Sequence, residues 1–449
     1  MKSVLKLLPP YILYIVFLTI CYEQYICKVY AYNGFGNNPD DVSMAVSTIL
    51  LCVSFVFIAM QKIKSYSSLV VMILFLVNYV PSVILFKYNP LDLRFIILLS
   101  IFWLILIIAN NAINAFKSKK AYNKKEDNND KKAKDKELGF SNRKNNKTLM
   151  SVAITLLNLL SVLVIIIFFT GINLGFNDVY ELRSNFLETK MPSIMLYIFS
   201  AMKVINPLFF VYFYKNNKYF WCVITVLIQL LAFLCDGSKS TLFSLLIVVI
   251  LATRLKKNDI KNKYVLNDKV KGYLLWGLAA INFAGFIEFK LFHSAFIYNY
   301  FVRRLFFVPA RLHEKYYLFF SENPPDYFRQ SILRRIGIES PYERSIQTMI
   351  GAKYFNDSSL IANNGLFSDA LMNFGKFGVV IMPVLLAFAF SFLDVCAANA
   401  EIIYLITPII STSYVFLSSS FFTALATHGY IVMCLIIKML SSKVTYGED

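Results

Sequence analysis

Seven arginines stand between residues 303 and 344: Arg303, Arg304, Arg311, Arg329, Arg334, Arg335 and Arg344. A guanidinium presents a planar fork of donors that meets phosphate oxygens two at a time, which a lysine ammonium cannot do. The chemistry this implies is recognition of a phosphate or pyrophosphate. If a bond to that group breaks, the same donors stabilise the charge that collects on it. Glu314, Glu322, Asp326, Glu339 and Glu343 are the competing partners for any one of these arginines taken singly. Arg183, in Tyr180 to Phe186, and Lys239, in the turn Asp236 to Ser240, add isolated cations. A snorkelling interfacial side chain and a helix-capping turn are their ordinary readings.

His313 is followed directly by Glu314, and a general base beside arginines is one reading of that pair. The chain has 3 histidines, no two at i, i+4, and its 7 cysteines show no C-x-x-C spacing, so no zinc site is predicted. Asp40 and Asp41 precede an apolar run, where a helix N-cap is the simpler reading and a metal-linked acidic pair the other. No phosphate-binding glycine loop of the nucleotide-binding kinds occurs, which argues against ATP-driven chemistry.

These residues must be positioned by elements that live in lipid. Hydrophobic residues make up 57% of 449, well above the ~45–50% of soluble domains. They fall in runs near 10–25, 44–60, 67–86, 95–115, 149–170, 193–213, 219–234, 241–253, 273–291, 370–393, 403–421 and 424–440. Most are close to the ~20 residues that carry a helix across ~30 Å of hydrocarbon, the short pair within 219–253 and the last pair being open to a partly re-entrant reading, so an all-α polytopic membrane protein with about 12 transmembrane helices is expected.

The formal charge of +18 is mostly topological rather than a nucleic-acid surface. Lysine-rich loops at 117–147 and 254–271 lie on one side by parity, and the positive-inside rule makes that side cytoplasmic, with both termini. The resulting divisions are 1–116 (helices 1–4), 117–148 (basic linker), 149–291 (helices 5–9), 292–367 (large outer loop) and 368–449 (helices 10–12). Residues 117–147, poor in aromatics, read as a linker unable to bury a core. The outer loop carries Tyr298, Tyr300, Phe306, Phe307, Leu312, Tyr316, Tyr317, Phe319 and Phe320 at near-helical spacing, which predicts amphipathic helices lying on the membrane surface. Lys203 is the one clear charge inside an apolar run, fewer than a coupled transporter usually needs.

The stretch Ile361 to Gly378 resembles the end of the large periplasmic loop, and the helix after it, in the repeat-unit polymerases of O-antigen and capsular polysaccharide, the Wzy family. Arg303 to Pro309 followed by Tyr316 to Phe320 resembles the opening of that loop, and Gly237 to Ser240 is similar to a turn found there. The paired arginine-to-glycine spacing of some members is absent: Ile194 and Lys315 stand eleven positions after Arg183 and Arg304.

The resemblance implies an architecture similar to GT-C-like polymerases and ligases. It implies a multi-pass protein of the bacterial inner membrane that transfers a growing glycan from undecaprenyl pyrophosphate to a new lipid-linked repeat unit, without metal or other cofactor. Its partners would be that lipid-linked oligosaccharide, membrane lipids and a chain-length regulator protein, with no nucleic acid. Arg183, Lys239, Arg303, Arg304, Arg311, Arg344 and Asn364 would bind substrate, and His313, Glu314 or Asp369 would take the acceptor's proton. An O-antigen ligase uses the same donor. A lipid-linked oligosaccharide flippase or transporter, the non-enzyme alternative, has little use for a large outer loop.

Overall fold

The computed structural model describes residues 5–127, 152, 155–160, 162–163, 165–167, 192–237, 239–254, 269–398 and 400–441. Among them helix is the only regular structure. Among the described residues eight helices are long and apolar enough to cross a membrane: Leu8–Val29, Asp41–Met60, Tyr66–Tyr88, Leu93–Lys117, Ile194–Lys215, Tyr219–Asp236, Lys269–Leu291 and Phe367–Ala397. They define a multi-pass α-helical membrane protein. Shorter apolar helices at Thr155–Ile167, Thr241–Arg254, Ile402–Ser418 and Tyr430–Leu440 fall where the other four expected crossings lie. Arg183 lies outside the described residues, as does most of the basic linker, whose first part continues the helix Leu93–Asp127.

The chain divides into two compact units. The first comprises Met1–Asn114, Val265–Ser391 and Phe416–Phe421. Its centre is Tyr66–Tyr88, whose apolar window is 94% buried against 22–33% for Leu8–Val29, Asp41–Met60 and Lys269–Leu291. Those three therefore leave most of their surface for lipid, while Tyr66–Tyr88 carries the internal contacts. A π-helical turn at Phe75–Tyr79 interrupts this central helix at its one asparagine, Asn78, which is fully buried. Asp41–Met60 begins with Asp40 as N-cap, in a reciprocal capping box with Ser43, so Asp40 takes its simpler reading. It ends on Lys271, whose ammonium donates to the carbonyls of Ile58, Ala59 and Gln61 at 3.2, 3.1 and 2.6 Å. A cation on the last free carbonyls of a helix both satisfies them and meets the negative end of the dipole.

The segment between Leu291 and Phe367 folds onto this unit. A π-helical run, Tyr298–Phe307, continues directly into α-helix Val308–Glu322. The aromatic spacing that predicted helices on the membrane surface marks a core instead: Tyr298, Phe306, Phe307, Tyr316 and Phe319 are all buried. Val308–Glu322 packs on Phe367–Phe374, on Ile346–Phe355 and on the later half of Tyr66–Tyr88, Val80–Tyr88, which together cover it on several sides. Aromatics at helical spacing cannot reveal whether lipid or protein will cover them; here protein covers most of them, and Tyr300 stays exposed.

The second unit comprises Ala115–Tyr264, Phe392–Val415 and Phe422–Asp449. Helices Ser193–Lys215, Tyr219–Asp236 and Lys239–Arg254 pack on one another around a polar seam. Asn206 Nδ2 donates to Thr225 O at 2.8 Å and to Gln229 Oε1 at 2.9 Å, and Gln229 Nε2 donates to Lys203 O at 2.9 Å. Lys203, the charge within an apolar run, is neutralised by an ion pair with Asp236. A lone ammonium at that depth would be expensive, and the carboxylate removes the cost.

Candidate functional site

Helix Val308–Glu322 positions two adjacent groups of side chains in the first unit. The inner group centres on His313, which has no solvent exposure. Its Nε2 lies 2.9 Å from Asn78 Oδ1, its Nδ1 lies 2.8 Å from Ser368 Oγ, and Asn364 Nδ2 approaches Nδ1 at 3.1 Å. An amide oxygen only accepts, so Nε2 carries the proton toward Asn78 and Nδ1 is the bare acceptor, while the two amide hydrogens of Asn364 are taken up by Pro309 O at 3.0 Å and Ser368 Oγ. Ser368 then donates to Nδ1 while accepting from Asn364 at 2.9 Å. Burial lowers the imidazole's pKa from 6.5 to about 3, so the ring is neutral at any physiological pH.

Three segments meet at this ring: the π-turn of the central helix, the Val308–Glu322 helix and the bend at 364–368. Leu366, at φ 53° and ψ −118°, adopts backbone angles that side chains rarely tolerate. Such strain costs on the order of 1–3 kcal/mol and persists only where surroundings enforce it. The enforcement is visible next door. Gly365 N donates to Leu417 O at 3.1 Å, and a Cβ on Gly365 would lie 2.0 Å from Phe416 O.

The outer group lies along the same helix. Arg311, 6% exposed, pairs with Glu314, 1% exposed. Arg311 Nε and Glu314 Oε1 make no hydrogen bond, so each ion keeps an unused buried site. Burial raises the Glu314 carboxyl above its ordinary value against the pull of Arg311, Lys315 and Asn89. Lys315, one turn beyond Arg311 and half-buried, is brought down to about 8 by burial and by the neighbouring guanidinium. The loop between Leu8–Val29 and Asp41–Met60 closes over Arg311: at Gly34, φ 81°, a Cβ would fall 2.1 Å from Arg311 Nη2.

The other sequence-predicted residues are dispersed. Arg303 stacks over the Tyr30 ring at 4.1 Å and donates from Nε to Asn299 Oδ1 at 3.0 Å. Arg304 and Arg344 are exposed. Asp369 is buried, and its carboxylate accepts from Phe421 N at 2.7 Å and from Asn373 Nδ2 at 2.8 Å, which ties Phe416–Phe421 to the unit. Lys239 opens the helix Lys239–Arg254 in the second unit. The residues gathered around His313 and Arg311 are thus Asn364 and Glu314 of those expected, with Asn78, Ser368, Lys315 and Gly34 unforeseen.

Lys315 had a signal, since it stands at i+4 from Arg311 and side chains at that spacing share a helix face. Asn78 had a weaker one, a single amide inside a long apolar run. Among the described residues no group of three histidine, cysteine, aspartate or glutamate side chains is placed to hold a metal ion.

Comparison with protein-family models, with curated proteins and with solved structures returned no match.

Proposed function

We propose that this chain is a membrane glycosyltransferase that polymerises oligosaccharide repeat units carried on undecaprenyl pyrophosphate. In this reading all twelve apolar segments cross the bacterial inner membrane, both termini are cytoplasmic, and residues 292–367 lie on the periplasmic side. The observation that carries the reading is one helical turn bearing Arg311, Glu314 and Lys315, a buried guanidinium and carboxyl beside a half-buried ammonium, in a unit of membrane spans. A lipid-linked pyrophosphate brings its tail to the bilayer and its charge to such a turn.

The acceptor hydroxyl oxygen attacks the anomeric carbon of the donor. The bond from that carbon to the pyrophosphate oxygen breaks, and its electron pair leaves with the pyrophosphate. Arg311 and Lys315 meet that charge, which is larger in the transition state than in the bound donor, so they lower the barrier rather than merely hold substrate. As Arg311 turns to the phosphate, Glu314 loses its partner and takes the proton from the acceptor hydroxyl. A carboxyl whose pKa is already raised by burial suits that task better than an ordinary glutamate.

The test is gel analysis of surface polysaccharide from a deletion strain complemented with wild type, Arg311→Lys, Arg311→Ala, Lys315→Ala or Arg304→Ala, at matched protein levels. The expected result is single-repeat glycan without a ladder for the Arg311 and Lys315 variants and a ladder for Arg304→Ala. Loss of all surface glycan on deletion would indicate a ligase or a flippase instead. Unchanged ladders with Arg311→Ala overturn the assignment.

A further inference from the structure

The apolar stretch Phe367–Ala397 is too long for one straight crossing, and it is not straight. Helix Phe367–Phe374 ends in a 3-10 turn, Gly375–Phe377, with Gly375 at φ 55°, before helix Gly378–Ala397 begins. The 20 residues of Gly378–Ala397 rise ~30 Å and fill the hydrocarbon on their own. Seven of the eight residues of Phe367–Phe374 are buried in protein, whereas Phe377 in the turn is 80% exposed.

Residues 326–328 are bound to that corner. Asp326 N donates to Met372 O at 2.7 Å, Tyr327 N to Asn373 O at 3.1 Å and Phe328 N to Asn373 Oδ1 at 2.8 Å. Tyr327 and Phe328 both sit at positive φ, 52° and 62°, two consecutive strained residues that reverse the chain. The turn then displays Ile332, Ile336 and Ile338, exposed by 45%, 71% and 43%. Arg334, also exposed, stands among them.

We propose that residues 327–338 form an interfacial anchor that lies in the headgroup zone of the bilayer beside the first turn of Gly378–Ala397. Three isoleucines outward within seven residues are costly in water and suited to the edge of the acyl region, and the adjacent guanidinium complements lipid phosphates. The strained turn sets this height by fastening the segment to residues at the start of the span. The inference depends on the membrane-spanning reading of Gly378–Ala397 alone and stands apart from the glycan chemistry proposed above.

The experiment places the full-length protein in nanodiscs of phosphatidylcholine and phosphatidylglycerol and compares Ile336→Trp and Phe377→Trp with the parent, whose Trp103, Trp221 and Trp276 supply a common background. The added emission of each variant is expected to be blue-shifted and to lose its larger part in lipids brominated near the headgroup, while resisting acrylamide. Added emission from Ile336→Trp that acrylamide quenches and bromolipid does not would overturn the anchor, whatever Phe377→Trp shows. Shielding of Ile336→Trp from both quenchers would overturn it as well, in favour of a protein partner.

Discussion

Gly34→Ala tests the outer cluster from a residue that carries no chemistry. Alanine at φ 81° costs about 1–2 kcal/mol for the left-handed backbone alone. Its Cβ would also stand 2.1 Å from Arg311 Nη2, well inside contact distance. An arginine tip on a surface would swing away, but this one is 6% exposed and is held by a carboxyl that is 1% exposed. Moving it spends part of the about 3–5 kcal/mol that breaking a buried ion pair costs. The expected total is about 3 kcal/mol, or a fall of roughly 5 °C or more in the apparent unfolding midpoint for a unit of this size. The measurement is thermal unfolding of purified protein in detergent by size-exclusion recovery. Gly277→Ala, where a Cβ would meet nothing within 4 Å, is the control. In an Arg311→Ala background the Gly34→Ala penalty should shrink to the backbone term, because the clash has gone. A Gly34→Ala protein as stable as wild type, or a penalty undiminished in that background, would refute the placement of the loop on Arg311.

Two further outcomes follow from the perturbed groups on the same helix. His313 has a folded pKa of about 3 against 6.5 unfolded, so the unfolded chain takes up the proton first as pH falls. Its contribution is complete above pH 6.5 and declines by about 1.4 kcal/mol per unit toward pH 3, roughly 2 kcal/mol between pH 6.5 and 5. Wild type should therefore lose thermal stability over that interval more steeply than His313→Gln, and parallel slopes would count against the sealed ring. Lys315, with a pKa of about 8, should be acylated by an amine reagent with a pH midpoint near that value. Lys353, whose pKa is raised by its hydrogen bond to Glu322, should need far higher pH, and peptide mass spectrometry reads both in one sample.

The membrane class was legible because hydrocarbon thickness imposes a run length that soluble cores do not require, and most of the long helices fall within a few residues of the apolar runs. The exception is instructive: the run near 370–393 continues a stretch that begins at Phe367, and hydropathy does not register a turn at Gly375. The aromatic loop misled for a related reason, since Tyr316 and Phe319 look the same in sequence whether lipid or Tyr66–Tyr88 covers them. Among the described arginines of 303–344, Arg311 is buried and paired with a carboxylate, and which arginine that would be depended on Gly34 and Glu314 meeting it in space. Glu314 was visible through its neighbour His313, and Asn364 through the stretch Ile361 to Gly378 that carries the resemblance. Ser368 was not, and Asn78 showed only as a lone amide in an apolar run, because their partner is a ring 55 residues away for one and 235 for the other.

The π-turn at Phe75–Tyr79 means that the central helix holds one residue more than an α-helix would use to join its two halves. The half before it, Tyr66–Leu74, and the half after it, Val80–Tyr88, are thereby out of phase by about 100°, the angle of one residue. The later half packs on Asp41–Met60 and on Val308–Glu322, and its last tyrosine reaches Glu23. Removing a single codon from 75–79 would restore a regular helix of good local stability and turn every one of those partners away. In this chain a more ideal helix would be the worse protein, and reading frame along one span is as exacting a constraint as any side chain in the site.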